Sequence, residues 1–291
     1  MSALAGMPPD SRPRSTWQAV MRQVAEQLAA AGIDSSAAEA RLLVADAAGV
    51  EQPWLSPVPP TPAQLARLSH TTAARLERQP IQHVLGKMWF RYLELAAGPG
   101  VFSVRPETEA MVDAALAALP QLGEHPRVVD LCSGSGAIAI AIATEYPRAA
   151  VSAAEISPAA YGYAQRNNAS YGNSVDLVLG DARTAFPQLL GTVDLVISNP
   201  PYVPPTDELP PEVRHDPQLA LFGGGSDGLD LPAQLISRAA QLLRPGGVLF
   251  MEHAPEQAAK IVAIAARDFE KCETGRDLTG RERWLRADKA N

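Results

Sequence analysis

The sequence predicts an α/β protein, a parallel sheet with helices on both faces, preceded by a small helical domain. From Arg127 onward, short apolar runs alternate with amphipathic stretches, and repeated strand-then-helix units build such a sheet. The first eighty residues instead look helical, broken by a rigid loop at Pro53, Pro57, Pro59, Pro60 and Pro62. Between them, residues 81–101 alternate apolar and polar side chains with glycine breaks at 86, 98 and 100, the mark of a hairpin. The boundaries expected are 1–80 for the helical domain, 81–105 for a hairpin linker and 106–291 for the sheet domain.

Each element has its own signal. Residues 1–14 form a polar tail, and Ser15 with Gln18 has the spacing of a capping box. Trp17, Val20, Met21, Val24 and Leu28 then recur at helical spacing until Gly32. Asp34 or Ser35 caps a second helix that brings Leu42, Leu43 and Val44 to its apolar side and stops at Gly49. Thr61-Pro62 reads as N-cap and first residue of a third helix, ending before Pro80. In the second part, strands are expected at 127–131, 151–156, 175–179, 193–198, 248–252 and 281–287. Helices are expected at 137–145, 158–169, 232–243 and 256–267.

Composition narrows the function. The chain has 291 residues, 46% of them hydrophobic, enough for a packed core and too many for a disordered chain. No run reaches the roughly 18 apolar residues of a membrane span. The start carries no signal-peptide pattern, so a cytoplasmic location is expected. Cys132 and Cys272 are the two cysteines, which gives neither a disulfide framework nor a zinc spacing, and no metal is expected. Acids outnumber bases by 32 to 25, for a net charge of −7. Proteins that bind duplex nucleic acid gather Lys and Arg instead, so no direct nucleic-acid partner is expected.

Ligands of such sheets bind at the carboxyl ends of the strands. There the chain places Asp130-Leu-Cys132-Ser133-Gly134-Ser135-Gly136, between the first strand and its helix. Glycines let the backbone approach a ligand, and the helix start offers free N–H groups. NAD, FAD and S-adenosylmethionine all fit that description. Ala139 breaks the third glycine of a pyrophosphate site, and the Asp130 carboxylate suits a cationic ammonium and sulfonium. Glu155 ends the second strand, where it can accept hydrogen bonds from two ribose hydroxyls. Asp181, or the backbone of Ala182, stands at the end of the third strand to meet an adenine amino group. Together they favour S-adenosylmethionine.

The fourth strand runs into Asn199-Pro200-Pro201-Tyr202. Pro-Pro is also an ordinary strand stop. The chemistry suggested is methylation of an amide nitrogen, a poor nucleophile because its lone pair is delocalised into the carbonyl. Two acceptors, the Asn199 side-chain oxygen and the Pro200 carbonyl, would draw such a nitrogen toward tetrahedral geometry, while Tyr202 packs on the flat group and excludes water. With a preactivated sulfonium as electrophile, positioning carries much of the catalysis.

At these residues the chain resembles the protein-(glutamine) methyltransferases that modify the Gly-Gly-Gln motif of class I peptide chain release factors. The likeness extends to Pro80-Ile-Gln-His-Val-Leu-Gly86, Arg105-Pro-Glu-Thr-Glu109, His215-Asp-Pro217, Asp227-Gly-Leu-Asp230, Arg244-Pro-Gly-Gly247 and Asp277-Leu-Thr-Gly-Arg281. It implies a Rossmann-like, seven-stranded S-adenosylmethionine-dependent methyltransferase sheet with a small N-terminal helical domain; separately, a monomer is expected. It implies cofactor contacts from Cys132 to Gly136, Glu155, the position after Asp181, and Asn199, and substrate contacts from Asn199 to Tyr202. Phe102, Arg105, Glu107 and Thr108 are implied near the methionine end of the cofactor. Pro106 with Glu107 and Glu109 also makes a good helix start, with no ligand needed. Two positions depart from the family's habit: Glu252-His253-Ala254 after the fifth strand, and Ala182 where an aromatic residue is common. Two rival readings share parts of the pattern, an adenine methyltransferase for DNA or RNA, which would need a flipped base, and a non-catalytic S-adenosylmethionine binder.

Overall fold

A computed structural model of the chain describes residues 16–206 and 208–291. These fall into two compact units, one ending at Leu85 and one running from Gly86 to Asn291.

The first unit holds α1 (Trp17–Ala30), α2 (Ser36–Ala48), α3 (Pro62–Leu76) and the short α4 (Ile81–Leu85). Trp17, Val20, Val24 and Leu28 line one stripe of α1 and pack with Leu43, Val44 and Leu68. Thr16 caps α1, its Oγ1 accepting from Ala19 N at 3.2 Å; the expected cap Ser15 and the tail 1–14 lie outside the described residues. Gly49 ends α2 in the left-handed region at φ 74°, and Thr61 with Gln64 forms a capping box on α3. Inside the unit, Arg75 Nε meets Glu39 Oε2 at 2.5 Å with both side chains nearly sealed from water, and Ser35 donates to the same carboxylate at 2.7 Å.

The stretch 81–105, expected to be a hairpin linker, starts instead with helix. The Pro80 carbonyl accepts from His83 N and Val84 N, so the proline begins a helical turn. The hairpin proper is β1 (Lys87–Phe90) paired antiparallel with β2 (Leu93–Ala96), and the division between units falls after Leu85 rather than Pro80.

After the hairpin come α5 (Glu107–Leu122), β3 (Arg127–Leu131), α6 (Ala137–Glu145), β4 (Ala150–Glu155), α7 (Pro158–Ser170), β5 (Val175–Leu179) and β6 (Val193–Ser198). Then follow α8 (Asp230–Leu242), β7 (Leu243–Glu252), α9 (Ala258–Ala265), β8 (Lys271–Arg276) and β9 (Glu282–Asp288). Strands β3 to β9 form one seven-stranded sheet in the order β5-β4-β3-β6-β7-β9-β8, parallel except for β9, which runs antiparallel to β7 and β8. Along β7, Val248 and Phe250 pack with α5, α6 and the hairpin, while Leu249 and Met251 pack with α8 and α9. Period-two burial on both faces gives the three-layer core. Strand β8 was not expected, because Lys271, Glu273 and Arg276 leave it no apolar alternation; it is a sheet edge, where charge is common.

The register positions the site. Leu131 lies opposite Ala154 and Ser198, and Ser198 opposite Met251. The residues that follow, Cys132, Glu155, Asn199 and Glu252, therefore emerge along one edge. Strand order reverses between β3 and β6, and there the carboxyl ends open a crevice.

Candidate active site

A cavity of about 400 Å³ opens at that crevice, a size that suits a cofactor. Of the residues predicted to meet the cofactor, Phe102, Cys132, Ser133, Gly134, Ser135 and Glu155 line it. So do Asp181, Ala182 and Asn199, and the segment Asn199 to Tyr202 closes the same cavity.

The turn after β3 is wound tightly enough to put Cys132, Gly134 and Gly136 in the left-handed region. Gly136 starts α6 at φ 81°, and a Cβ there would stand 3.1 Å from Ile140 and 3.5 Å from Ala164. It serves helix packing rather than the cavity lining. Asn167 braces the turn from α7: its Nδ2 donates to Ser135 O at 3.0 Å, and its Oδ1 accepts from Ala96 N at 2.7 Å. Nothing in the local sequence marked Asn167.

Glu155 accepts from Gly134 N and from Ser157 N, each at 2.7 Å, one bond per carboxylate oxygen. Each oxygen keeps a lone pair for a hydroxyl in the cavity. Burial raises its pKa, and the backbone N–H groups pull it back. Ser133 Oγ is buried, belongs to a lining residue and has no hydrogen-bond partner among the described residues. An orphaned hydroxyl and a ring of part-used acceptors fit the polar groups of S-adenosylmethionine. At the far end, the Arg183 guanidinium clasps Asp181 at 2.5 Å, which lowers the acid's pKa, and reaches Gln234 Oε1 at 3.2 Å. Arg183, Leu231 and Gln234 line this end, which has Ala182 where an aromatic ring was missing.

Five predicted cofactor residues are not in the lining: Arg105, Glu107, Thr108, Asp130 and Gly136. The Arg105 guanidinium stacks 5.3 Å from the Phe102 ring and pairs with Asp216 at 2.8 Å. Glu107 stays in the first turn of α5, consistent with its alternative reading as a helix start. Thr108 is fully buried and donates to Glu252. Asp130 is fully buried inside β3, where desolvation, with the Glu155 charge, pushes its carboxyl up to about 8.

The Asn199 segment is held from two sides. Asn199 Nδ2 donates to Thr108 Oγ1 at 3.3 Å, Thr108 Oγ1 donates to Glu252 Oε2 at 2.6 Å, and Tyr202 Oη donates to Glu252 Oε1 at 3.0 Å. Burial, then the Glu252 charge, raises the Tyr202 phenol well above its usual range, so it stays neutral. Gln257 Nε2 donates to Tyr202 O at 2.7 Å and to Asp227 O at 2.8 Å. The connection after Tyr202 folds back onto this segment, with Val203 N donating to Leu221 O and Gly223 N to Val203 O. His253 is buried with Nδ1 2.8 Å from Ala254 O, and burial lowers its pKa. Among the described residues no helix is long and apolar enough to cross a membrane.

Comparison with known proteins agrees with this geometry. Residues 92–210 match the family model described as methyltransferase small domain, and residues 19–86 match the PrmC N-terminal domain. The release factor glutamine methyltransferase of Streptomyces coelicolor is 46% identical over 278 residues, covering 94% of this chain and 98% of its own. This chain belongs to the release factor glutamine methyltransferase family.

Within reach of that family is a relative named for a different acceptor. The 4-amino-L-phenylalanine/4-methylamino-L-phenylalanine methyltransferase of Streptomyces pristinaespiralis is 41% identical over 82% of this chain and 83% of its own. Among solved structures, the Thermus thermophilus 16S rRNA N2 G1207 methyltransferase, in complex with AdoMet and guanosine, shares the fold. Its TM-score is 0.51 at 22% identity, over 70% of this chain and 49% of that one.

Proposed function

We propose that this member of the release factor glutamine methyltransferase family methylates the side-chain amide nitrogen of the glutamine in the Gly-Gly-Gln motif of class I release factors. It does so with S-adenosylmethionine, in the cytoplasm, as a monomer. One observation carries the reading: Asn199 to Tyr202 and the glycine turn line a single cavity, with the Asn199 Nδ2 group already committed to Thr108.

When bound, S-adenosylmethionine supplies a methyl group on a cationic sulfur. The turn from Cys132 to Ser135 and Glu155 would hold it, and its methyl would pass to the substrate nitrogen, which would return to a neutral amide by releasing a proton to solvent. Asn199 Oδ1 and the Pro200 carbonyl are the acceptors for the two N–H bonds of the substrate amide, which turns the nitrogen lone pair out of conjugation. Pro200 and Pro201 are buried, so these acceptors cannot drift, and the neutral Tyr202 ring covers the flat group. Cys132 borders the cavity without supplying a base, since burial holds the thiol protonated.

The reading is tested with labelled S-adenosylmethionine and a purified class I release factor. Label should appear on the factor, vanish when its Gly-Gly-Gln glutamine is changed to alanine, and stay off duplex DNA. Label on DNA alone would support the adenine reading, and binding without transfer the non-catalytic one. The aromatic-amine relative supports a further arm, since its acceptor is also an NH2 conjugated to a π system: 4-amino-L-phenylalanine methylated in preference to the release factor would replace the proposed substrate.

A further inference from the structure

Glu252 is 2% exposed and stands at the end of β7, beside Asn199 in the sheet register. Both its oxygens are engaged, by the hydroxyls of Thr108 and Tyr202. Burial raises the Glu252 pKa, and the hydroxyls of Thr108 and Tyr202, then the charge of Arg283, held by Asp277 at 3.3 Å, act in the opposite direction. Asp277 is fixed in turn by Thr279 and by the backbone N–H of Arg281, which gives the Asp277-to-Arg281 motif a task.

The direction of these bonds has a consequence for Asn199. Glu252 accepts on both oxygens, from Thr108 and from Tyr202, so Thr108 spends its single hydroxyl proton on Glu252. The Thr108 oxygen can then only accept on its other side, and the end of Asn199 that faces it must be the NH2. Oδ1 is left for the cavity. A carboxamide flipped about its last torsion has almost the same shape, and Thr108 alone would serve either orientation. The flipped form would aim an NH2 donor at a substrate NH2, where an acceptor is required.

We infer that Glu252, acting through Thr108, sets which end of the Asn199 side chain faces the substrate, making both of them positioning residues for methyl transfer. This rests on the function proposed above. Neither residue is part of the cavity lining, and Thr108 reaches it through Asn199.

The test is single-turnover methylation of a release factor by Thr108→Val, Thr108→Ser and Glu252→Gln, with cofactor affinity measured beside it. Thr108→Val keeps the shape and loses the relay, so its rate should fall at least about tenfold, as for a lost transition-state hydrogen bond. Cofactor affinity should stay within about twofold, since no contact to it is removed. Thr108→Ser should restore the rate. Glu252→Gln should behave like Thr108→Val, and the threonine pair decides the matter if that variant fails to fold. On an Asn199→Ala background, Thr108→Val should cost nothing further, because the group being oriented is gone. Equal rates for Thr108→Val and Thr108→Ser would overturn the inference, as would an undiminished effect of Thr108→Val on the Asn199→Ala background. Wild-type protein that leaves the release factor unmodified contradicts the proposed function instead.

Discussion

The Arg105 guanidinium meets the carboxylate of Asp216 at 2.8 Å, with the Asp216 side chain fully buried, although 111 residues separate them in sequence. This pair ties the segment leading into α5 to the long connection after Tyr202, which contributes Pro217, Leu219 and Phe222 to the cavity wall.

Arg105→Ala should therefore loosen the connection without emptying the cofactor turn. Limited proteolysis should cut faster between residues 203 and 217, and the KM for the release factor should rise more than that for S-adenosylmethionine. Unchanged cleavage would place the connection's stability elsewhere.

Gly228 sits at φ 76°, and a Cβ there would stand 2.1 Å from the Tyr202 carbonyl oxygen. Gly228→Ala must push the Tyr202 backbone away from the Gln257 bond that holds it. A loss of methyl transfer at least about tenfold is expected for so small a displacement at the acceptors. Near-normal rates would mean the backbone at Tyr202 tolerates the shift.

Asp130 links stability to pH. In the unfolded chain its carboxyl ionises near 3.8, whereas in the fold it keeps its proton to about 8. Between those values the unfolded state gains with rising pH, by up to about 1.4 kcal/mol per unit, and stability falls. Asp130→Asn removes that dependence. Denaturation of cofactor-free protein from pH 5 to pH 8 should show the wild type losing ground to the variant, and parallel curves would contradict the assignment.

In the first unit, Glu39→Ala leaves the Arg75 guanidinium in a site sealed from water. Breaking such a pair typically costs about 3–5 kcal/mol. Thermal or urea denaturation should show the loss, and a stability equal to wild type would count the pair as dispensable.

Much of the site was legible because its signals are local. The glycine turn, Glu155 at its strand end and Asn199 to Tyr202 after a buried strand each sit within a few residues of the element that positions them. Residues 137–145 are a helix for the same reason: the glycine turn gives its start and the apolar run its length. What stayed hidden depends on partners distant in sequence. Thr108 and Glu252 are 144 residues apart, so nothing near either announces that they meet. Arg183 and Gln234 complete the far end of the cavity by the same kind of distant pairing. Strand β8 is charged along its length and borrows its order from β9. The helix at Ile81–Leu85 is too short for periodicity to separate it from a strand.

The central claim is that Asn199 supplies an acceptor to the reacting amide, and single-turnover methylation of a release factor by Asn199→Ala tests it most directly. Removing the acceptor should slow transfer about tenfold to a hundredfold, equivalent to roughly 1–3 kcal/mol at the transition state, with the release factor glutamine still the modified residue. Transfer at close to the wild-type rate would contradict the account.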